Sequence, residues 1–191
     1  RQRNSLLKTN NIGLIQSQIF AWNIRLSELA SQYVQHRIEI IERINKTLSE
    51  DYSEIAGSQH NVYIQYSSAI DLDTYASAIL HSLDTSLDKD ITRGFTGSGP
   101  HRDDILISIN NKPLKAGASR GEVRTTLLAI KFAESYVIEN ILGLKPILLL
   151  DDVLSELDQY RSKILHGILR THQSIITTPG TGTKLKVAPI N

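Results

Sequence analysis

The chain has 191 residues, 40% of them hydrophobic, and its 21 Lys and Arg nearly balance its 20 Asp and Glu, for a formal net charge of +1. This balance argues against a protein that coats DNA by bulk electrostatics, and the lack of Cys excludes disulfides, thiolate metal sites and cysteine nucleophiles. No apolar run is long enough to cross a membrane or typical of an export signal. Met is also absent, from which we expect the chain to be part of a longer protein.

The first predicted element is a long amphipathic helix. No Pro interrupts residues 14–48, so the helix is expected to fill much of that span and to end before Gly57. The pattern extends over about two or three heptads, which is too short for a free coiled coil. We therefore expect an arm or lid that packs on a neighbouring helix. The apolar seam recurs at intervals of 4, 3, 4, 3 and 4 residues and consists of Ile15, Ile19, Trp22, Leu26, Leu29 and Tyr33.

Two strands and a helical segment are predicted after Gly57. Alternating apolar residues predict a strand over 62–66, and helical spacing returns over 72–87. The run from Ile105 to Ile109 predicts a second strand, which the turn at 110–113 closes.

The last third of the chain predicts alternating helices and strands. Helical patterns cover 119–141 and 160–169, and short apolar strands cover 147–150 and 174–178. The continuous run Ile147–Leu150 is typical of a central strand of a parallel sheet that is covered on both faces. The order indicates an α/β layer, in which ligands bind at the carboxyl ends of the strands.

Two aspartates, Asp151 and Asp152, directly follow the apolar run 147–150. Carboxylates at the rim of a sheet can hold hydrated Mg²⁺ and can orient or deprotonate a water molecule. The pattern is similar to a Walker B motif, although acidic residues also end many strands simply because loops are polar.

Two further segments resemble motifs of ABC-type ATPases. Ser119-Arg120-Gly121-Glu122 opens a predicted helix and resembles the ABC signature, whose hydroxyl, backbone N–H and helix N-terminus suit a γ-phosphate. A plain N-cap, with Glu122 completing a capping box, explains Ser119 equally well. The segment after Asp152 resembles a D-loop, in which Ser155 and Asp158 would lie at a dimer interface.

Four segments together resemble the RecF family of DNA replication and repair proteins. They are Arg93-Gly-Phe-Thr96, Gly99-Pro-His-Arg-Asp-Asp104, the helix start at 119–125, and residues 147–158. The resemblance covers nearly the whole chain. It implies an α/β fold that forms part of an ABC-type (P-loop NTPase) ATPase head with a helical second lobe. Residues 1–90 would form the helical lobe, and residues 91–191 the C-terminal part of the ATPase lobe.

The resemblance also implies roles for individual residues. Asp152 takes the place of the catalytic carboxylate, and Asp151 would hold Mg²⁺ through water. Ser119, Arg120, Gly121 and Glu122 would face the γ-phosphate of ATP that the other subunit holds. Thr178 lies at the position where many ABC ATPases have their switch His.

The activity implied for the full-length protein is a weak ABC-type ATPase that acts in DNA repair, DNA replication and the SOS response. It would use ATP and Mg²⁺, form an ATP-dependent homodimer and bind DNA at single-strand/duplex junctions or gaps. It would help the RecO and RecR proteins load recombinase in the bacterial cytoplasm, associated with the nucleoid and not with a membrane. Two alternatives stay open: another SMC- or Rad50-like head, and a non-catalytic module that binds DNA or protein.

The roles of His101 and Arg102 do not follow from spacing. We favour a buried polar network with Asp103 or Asp104 over catalysis. None of the other five histidines shows ligand spacing with Asp or Glu, which argues against a zinc site. A phosphate-binding Gly-x-x-x-x-Gly-Lys-[Ser/Thr] loop is absent, and the expected explanation is that the chain is the C-terminal portion of its protein.

The isolated chain should therefore not hydrolyse ATP and should bind it weakly at best, because it has no loop to cradle the phosphates. Titration calorimetry of the polypeptide with Mg-ATP checks this prediction. Micromolar affinity would contradict it.

Overall fold

The computed structural model describes residues 1–9, 11–153 and 157–177. Within these ranges it has seven α-helices and five β-strands. The helices are α1 (Gln2–Leu7), α2 (Ile12–Asn45), α3 (Leu48–Ala56), α4 (Tyr75–Thr85), α5 (Leu87–Arg93), α6 (Arg120–Leu142) and α7 (Gln159–Leu169). The strands are β1 (Val62–Ser67), β2 (Asp104–Ile109), β3 (Lys112–Pro113), β4 (Leu148–Leu150) and β5 (Ser174–Ile176). No helix in the described ranges is both long and apolar enough to cross a membrane.

The chain divides into two compact units. Unit 1 comprises Arg1–Ile41 and Gln65–Leu106, and unit 2 comprises Glu42–Ile64 and Ile107–Asn191. The proposed functional lobes, 1–90 and 91–191, stay a prediction.

A three-stranded sheet has the order β1-β2-β3. Alternate residues of β1 are buried, as its sequence predicts. A two-residue hairpin joins β2 to β3, and both residues of its turn have positive φ, 50° at Asn110 and 64° at Asn111. Asn tolerates this conformation better than most residues, which explains the tight turn at the predicted place.

The second sheet consists of β4 and β5, which pair in parallel with Leu149 opposite Ile175. The parallel strands confirm the predicted α/β arrangement. The prediction that β4 is covered on both faces is wrong within the described residues, because the side chain of Leu149 is 73% exposed. Successive side chains of a strand alternate between its two faces, and the flanking Leu148 and Leu150 are only half-buried.

The long helix α2 confirms the predicted element, but its buried face differs from the predicted seam. Leu29 and Tyr33 are about half exposed, at 45% and 51%. The guanidinium of Arg37 lies 4.5 Å from the centre of the Tyr33 ring. The buried face shares Ile15 and Ile19 with the predicted seam and then shifts by one position to Asn23, which accepts a hydrogen bond from Arg3. The buried positions up to the end of unit 1 are Ile15, Ile19, Asn23, Ser27, Ala30, Val34 and Ile41.

A buried ion pair organises unit 1. The Arg3 guanidinium donates to Asp90 Oδ2 at 2.9 Å, and the two side chains are only 4% and 1% exposed. Arg3 also donates to Asn23 Oδ1 at 2.7 Å and to Thr96 Oγ1 at 2.6 Å. Because each partner comes from a different segment, one charged network joins α1, α2, α5 and the loop that follows α5.

The core of unit 2 forms where α3 packs against α6 and α7. Leu48, Tyr52 and Ile55 of α3 are essentially inaccessible to solvent. Gly57 ends α3 in the left-handed conformation, with φ of 70°. A Cβ on Gly57 would lie 2.6 Å from the ring of Tyr160, so glycine is required here for two reasons.

Replacement of Arg3 by Met should lower the free energy of unfolding by about 3–5 kcal/mol, because it leaves the buried carboxylate of Asp90 without its counter-charge. Urea unfolding measures the change. The control is Arg25→Met, which breaks the exposed pair between Arg25 and Glu28 at 3.2 Å and should cost less than about 1 kcal/mol. Equal effects of the two substitutions would contradict the role given to the Arg3 network.

Candidate functional site

The carboxyl ends of β4 and β5 meet at one edge of their sheet, because the strands are parallel. Asp151 and Asp152 follow β4, and Thr177 follows β5. The Thr177 hydroxyl donates to Asp151 Oδ1, and the backbone N–H of Asp152 donates to Thr177 Oγ1 at 3.0 Å. Thr177 therefore ties both aspartates to the end of the neighbouring strand. Sequence analysis missed Thr177 and named its neighbour Thr178, which lies outside the described residues.

Asp152 adopts the left-handed backbone conformation, with φ of 51°. Non-glycine residues rarely take this conformation, and Asp and Asn do so more readily than others. The chain turns sharply out of the sheet here, and both carboxylates are exposed.

The edge suits a hydrated cation. Mg²⁺ prefers oxygen ligands, keeps several waters and is usually held by one or two carboxylates. Asp151, Asp152 and the Thr177 hydroxyl supply oxygen donors that solvent reaches. No group of three or more His, Cys, Asp or Glu side chains with metal-binding geometry occurs among the described residues. The donor set therefore fits a cation that keeps much of its water shell.

The start of α6 has a complete capping box. The backbone N–H of Glu122 donates to Ser119 Oγ at 3.2 Å, and the backbone N–H of Ser119 donates to Glu122 Oε2 at 2.7 Å. The bond from the Ser119 N–H is the main cause that lowers the pKa of the Glu122 carboxyl. The N-cap interpretation of Ser119 is therefore confirmed. Its hydroxyl lies at the N-terminus of a 23-residue helix, the end at which the helix dipole favours negative charge.

Arg161 connects the predicted D-loop to the signature segment. Asp158 caps α7 by accepting the backbone N–H of Arg161 at 2.9 Å, and its Oδ2 lies 3.5 Å from Arg161 Nη1. A Cβ on Gly121 would lie 2.9 Å from the same Nη1, so the guanidinium passes close to the Gly121 backbone. Arg161 is three-quarters buried, and its Nε is inaccessible and has no hydrogen-bond partner.

The structure thus brings together several residues that sequence analysis named, but not all of them. It joins Asp151 to Asp152 through Thr177, Ser119 to Glu122, and Asp158 to Gly121 through Arg161. Arg120 is exposed at the first position of α6. Ser155 lies outside the described residues. The sequence signal that could have identified Arg161 is its position three residues after Asp158, on the same face of α7.

The segment Gly99–Asp104 contains a polar network around Asp103 in unit 1. Its carboxylate accepts hydroxyl hydrogen bonds from Tyr66 at 2.6 Å, Tyr75 at 2.7 Å and Ser68 at 2.7 Å. Burial alone would raise the pKa of the Asp103 carboxyl, but these bonds outweigh burial and lower it. Burial, followed by the bond to Asp103, raises the pKa of Tyr66 to about 12.

The expected network exists, but the members proposed for it were wrong. His101 and Arg102 are exposed, and tyrosines bind Asp103 in their place. Pro100–Arg102 form a single 3-10 turn, whose geometry keeps the His101 and Arg102 side chains outside the network.

Curated proteins with one shared name are similar to most of the chain. A protein from Clostridium perfringens strain SM101 called "DNA replication and repair protein RecF" is 36% identical over 180 residues. These residues make up 94% of this chain and 49% of that protein. A relative with the same name from Trichlorobacter lovleyi is 36% identical over 183 residues, 93% of this chain and 49% of that protein. The chain is similar to proteins that carry the RecF name. It spans about half the length of the curated relatives it matches.

Solved RecF structures share the fold. One, described as the recombination mediator protein RecF-ATP in the RecFOR pathway, has a TM-score of 0.72 and 29% identity. The match covers 96% of this chain and 51% of that one. A second, RecF-ATPrS, has a TM-score of 0.74, 27% identity and coverage of 97% and 51%. The fold therefore forms part of the ABC-type, P-loop NTPase architecture. No protein-family profile matches the sequence.

Ser119→Ala should lower the free energy of unfolding by about 1 kcal/mol, because it removes the N-cap of α6. Ser119→Asp should keep the wild-type value, because Asp accepts the same N–H and adds a favourable charge at the helix N-terminus. Urea unfolding of both variants tests the cap. Equal loss of stability in Ser119→Asp would contradict it.

Proposed function

We propose that the chain forms the part of a RecF-like ATPase that supplies the acidic edge for ATP hydrolysis and the signature helix. The observation that supports this most strongly is the edge of β4 and β5, where Thr177 holds Asp151 and Asp152 side by side. Capped α6 and the Arg161–Asp158 pair add the two motifs that would face a second subunit.

Asp151 is the proposed ligand for Mg²⁺, through water, with the Thr177 hydroxyl as its neighbour. When bound, the ion would neutralise charge on the β- and γ-phosphates. The hydrogen bond that the Thr177 hydroxyl donates fixes one oxygen of Asp151. It therefore orients the carboxylate without cancelling its charge.

Asp152 is the proposed catalytic carboxylate. Its backbone leaves the sheet in the left-handed conformation, and its N–H is held by Thr177. A carboxylate fixed at the strand end and open to solvent can accept a proton from an attacking water or orient that water.

The start of α6 is the proposed site for the γ-phosphate of ATP bound to the other subunit of a dimer. The Ser119 hydroxyl, the Gly121 backbone and the positive end of the helix dipole would contact the phosphate, with Arg120 beside them. Glu122 would act indirectly, because it holds the Ser119 backbone. Arg161 contacts both Asp158 and the Gly121 backbone. It would therefore couple the position of the D-loop, which contains Ser155, to the position of Gly121. Thr178 is the proposed switch position.

The proposed biological role follows the relatives' name, DNA replication and repair. The whole protein would dimerise with ATP, bind DNA at gaps or single-strand/duplex junctions, and assist RecO and RecR in loading recombinase in the bacterial cytoplasm. The alternatives, another SMC- or Rad50-like head and a non-catalytic module, are less well supported because the similar curated proteins and solved structure carry the RecF name.

Asp152→Asn in the full-length protein should leave ATP affinity unchanged, slow hydrolysis at least tenfold and accumulate ATP-bound dimers, because Asn keeps the backbone conformation but cannot take a proton. Turnover assays and light scattering measure these effects. Asp73→Asn, which alters an exposed carboxylate of unit 1, is the matched control. Unchanged turnover in Asp152→Asn would show that another group is the catalytic base.

A further inference from the structure

The loop from Gly94 to Arg102, here called the glycine loop, lies within unit 1 between α5 and β2. It contains three glycines, and two of them have φ values that other residues rarely adopt, 71° at Gly94 and 144° at Gly99. Such a backbone allows close approach by a ligand.

Hydrogen bonds fix the glycine loop at both ends. Near its start, the backbone N–H of Thr96 donates to Asn4 Oδ1 at 2.9 Å, and that of Gly97 donates to Asp90 Oδ1 at 2.9 Å. Near its end, Arg37 Nη1 donates to the carbonyl of Pro100 at 3.2 Å. A loop held in this way binds a ligand without a large ordering cost.

Two of the acidic residues near the loop, Asp90 and Asp103, are held by partners within unit 1. Asp90 is 1% exposed and pairs with Arg3, and Asp103 accepts three hydroxyl hydrogen bonds. Their charges are therefore already engaged by internal partners.

The side chains around the outside of the loop are basic. Lys8, Arg93, His101 and Arg102 are all exposed. A Cβ on Gly94 would lie 3.7 Å from Lys8 Cε, and one on Gly97 would lie 3.7 Å from Arg93 Nη1. Arg102 Nε donates to the carbonyl of Gly97 at 3.2 Å.

None of these basic side chains forms a salt bridge with a carboxylate in the described ranges. Exposed cations elsewhere on the chain do so, as Arg25 does with Glu28 and Lys131 with Glu134. Lys8, Arg93 and Arg102 therefore carry positive charges that no salt bridge in the described part of the chain engages.

The same loop carries an exposed aromatic side chain. Phe95 is 45% exposed although it belongs to a fixed loop. Alternating cations and exposed aromatic rings are the means by which proteins bind single-stranded nucleic acids, with cations on phosphates and rings on unstacked bases.

We propose that the glycine loop binds single-stranded nucleic acid, with Lys8, Arg93, His101 and Arg102 on the phosphates and Phe95 on an unpaired base. This inference rests on the DNA binding proposed above and assigns the unpaired strand of a junction to a surface. A nucleotide offers the same phosphate chemistry but would not need a stretch of cations on an open loop, and an ATP measurement distinguishes the two.

The test uses the full-length protein and fluorescence anisotropy at several salt concentrations. The DNA is a duplex with a single-stranded tail, and a blunt duplex of equal length serves for comparison. The double variant H101Q/R102Q should weaken binding of tailed DNA about tenfold and reduce the salt slope by about 1 to 2. Phe95→Ala should weaken binding of tailed DNA about fivefold or more and leave the binding of blunt duplex unchanged.

Matched controls use residues of α2 with similar exposure. Arg25→Gln removes an exposed cation, and Phe20→Ala removes a ring that is 60% exposed. Both should bind tailed DNA like wild type. Arg102→Lys keeps the charge but loses the hydrogen bond from the guanidinium to Gly97. Near-normal DNA binding by this variant would show that H101Q/R102Q weakens binding through lost charge and not through a misfolded loop.

Several results would overturn the proposal. Wild-type affinity of H101Q/R102Q and Phe95→Ala for tailed DNA would do so. An equal loss by Phe95→Ala on both DNAs would exclude stacking, and a loss of ATP affinity by H101Q/R102Q with intact DNA binding would assign the loop to a nucleotide. A wild-type protein that binds no DNA would refute the proposed function itself.

Discussion

The parallel pairing of β4 with β5 brings the carboxyl ends of two strands to one edge, and the proposed chemistry depends on this arrangement. Neither aspartate is positioned by its own strand alone. Thr177 follows Asp152 by 25 residues in the sequence, and its hydroxyl oxygen accepts the backbone N–H of Asp152. The register of the two strands therefore determines where both carboxylates lie. A shift of one residue would turn alternate side chains to the opposite face and separate the threonine from Asp151.

A second long-range contact links the two motifs that would face a partner subunit. Asp158 caps α7 and pairs with Arg161, whose guanidinium lies against the backbone of Gly121. A larger residue at position 121 would collide with this guanidinium, so glycine is favoured there for steric reasons apart from any phosphate contact. A movement of the D-loop would shift Arg161 and thereby alter the start of α6, which gives a physical route from dimer contacts to the signature segment.

Local features could be predicted from the sequence, whereas features that depend on distant partners could not. The hairpin at Asn110 and Asn111 and the cap at Ser119 were predictable because neighbouring residues determine them. The burial of Asn23 on α2 was not, since Asn23 is a hydrogen-bond partner of the distant Arg3. Sequence analysis also missed Thr177 and Arg161, which act across the sheet and between helices. It assigned His101 and Arg102 to a network that tyrosines from other elements form instead.

In the proposed dimer, one subunit supplies the carboxylates and the other the signature helix of each ATP site. Mixing two full-length variants, Ser119→Asp and Asp152→Asn, tests it most directly, because each alone should be inactive. In a mixed dimer, one of the two sites would receive an intact carboxylate edge and an intact signature. Free exchange of subunits should restore about a quarter of wild-type ATP turnover. A mixture that stays inactive although mixed dimers form would contradict the account.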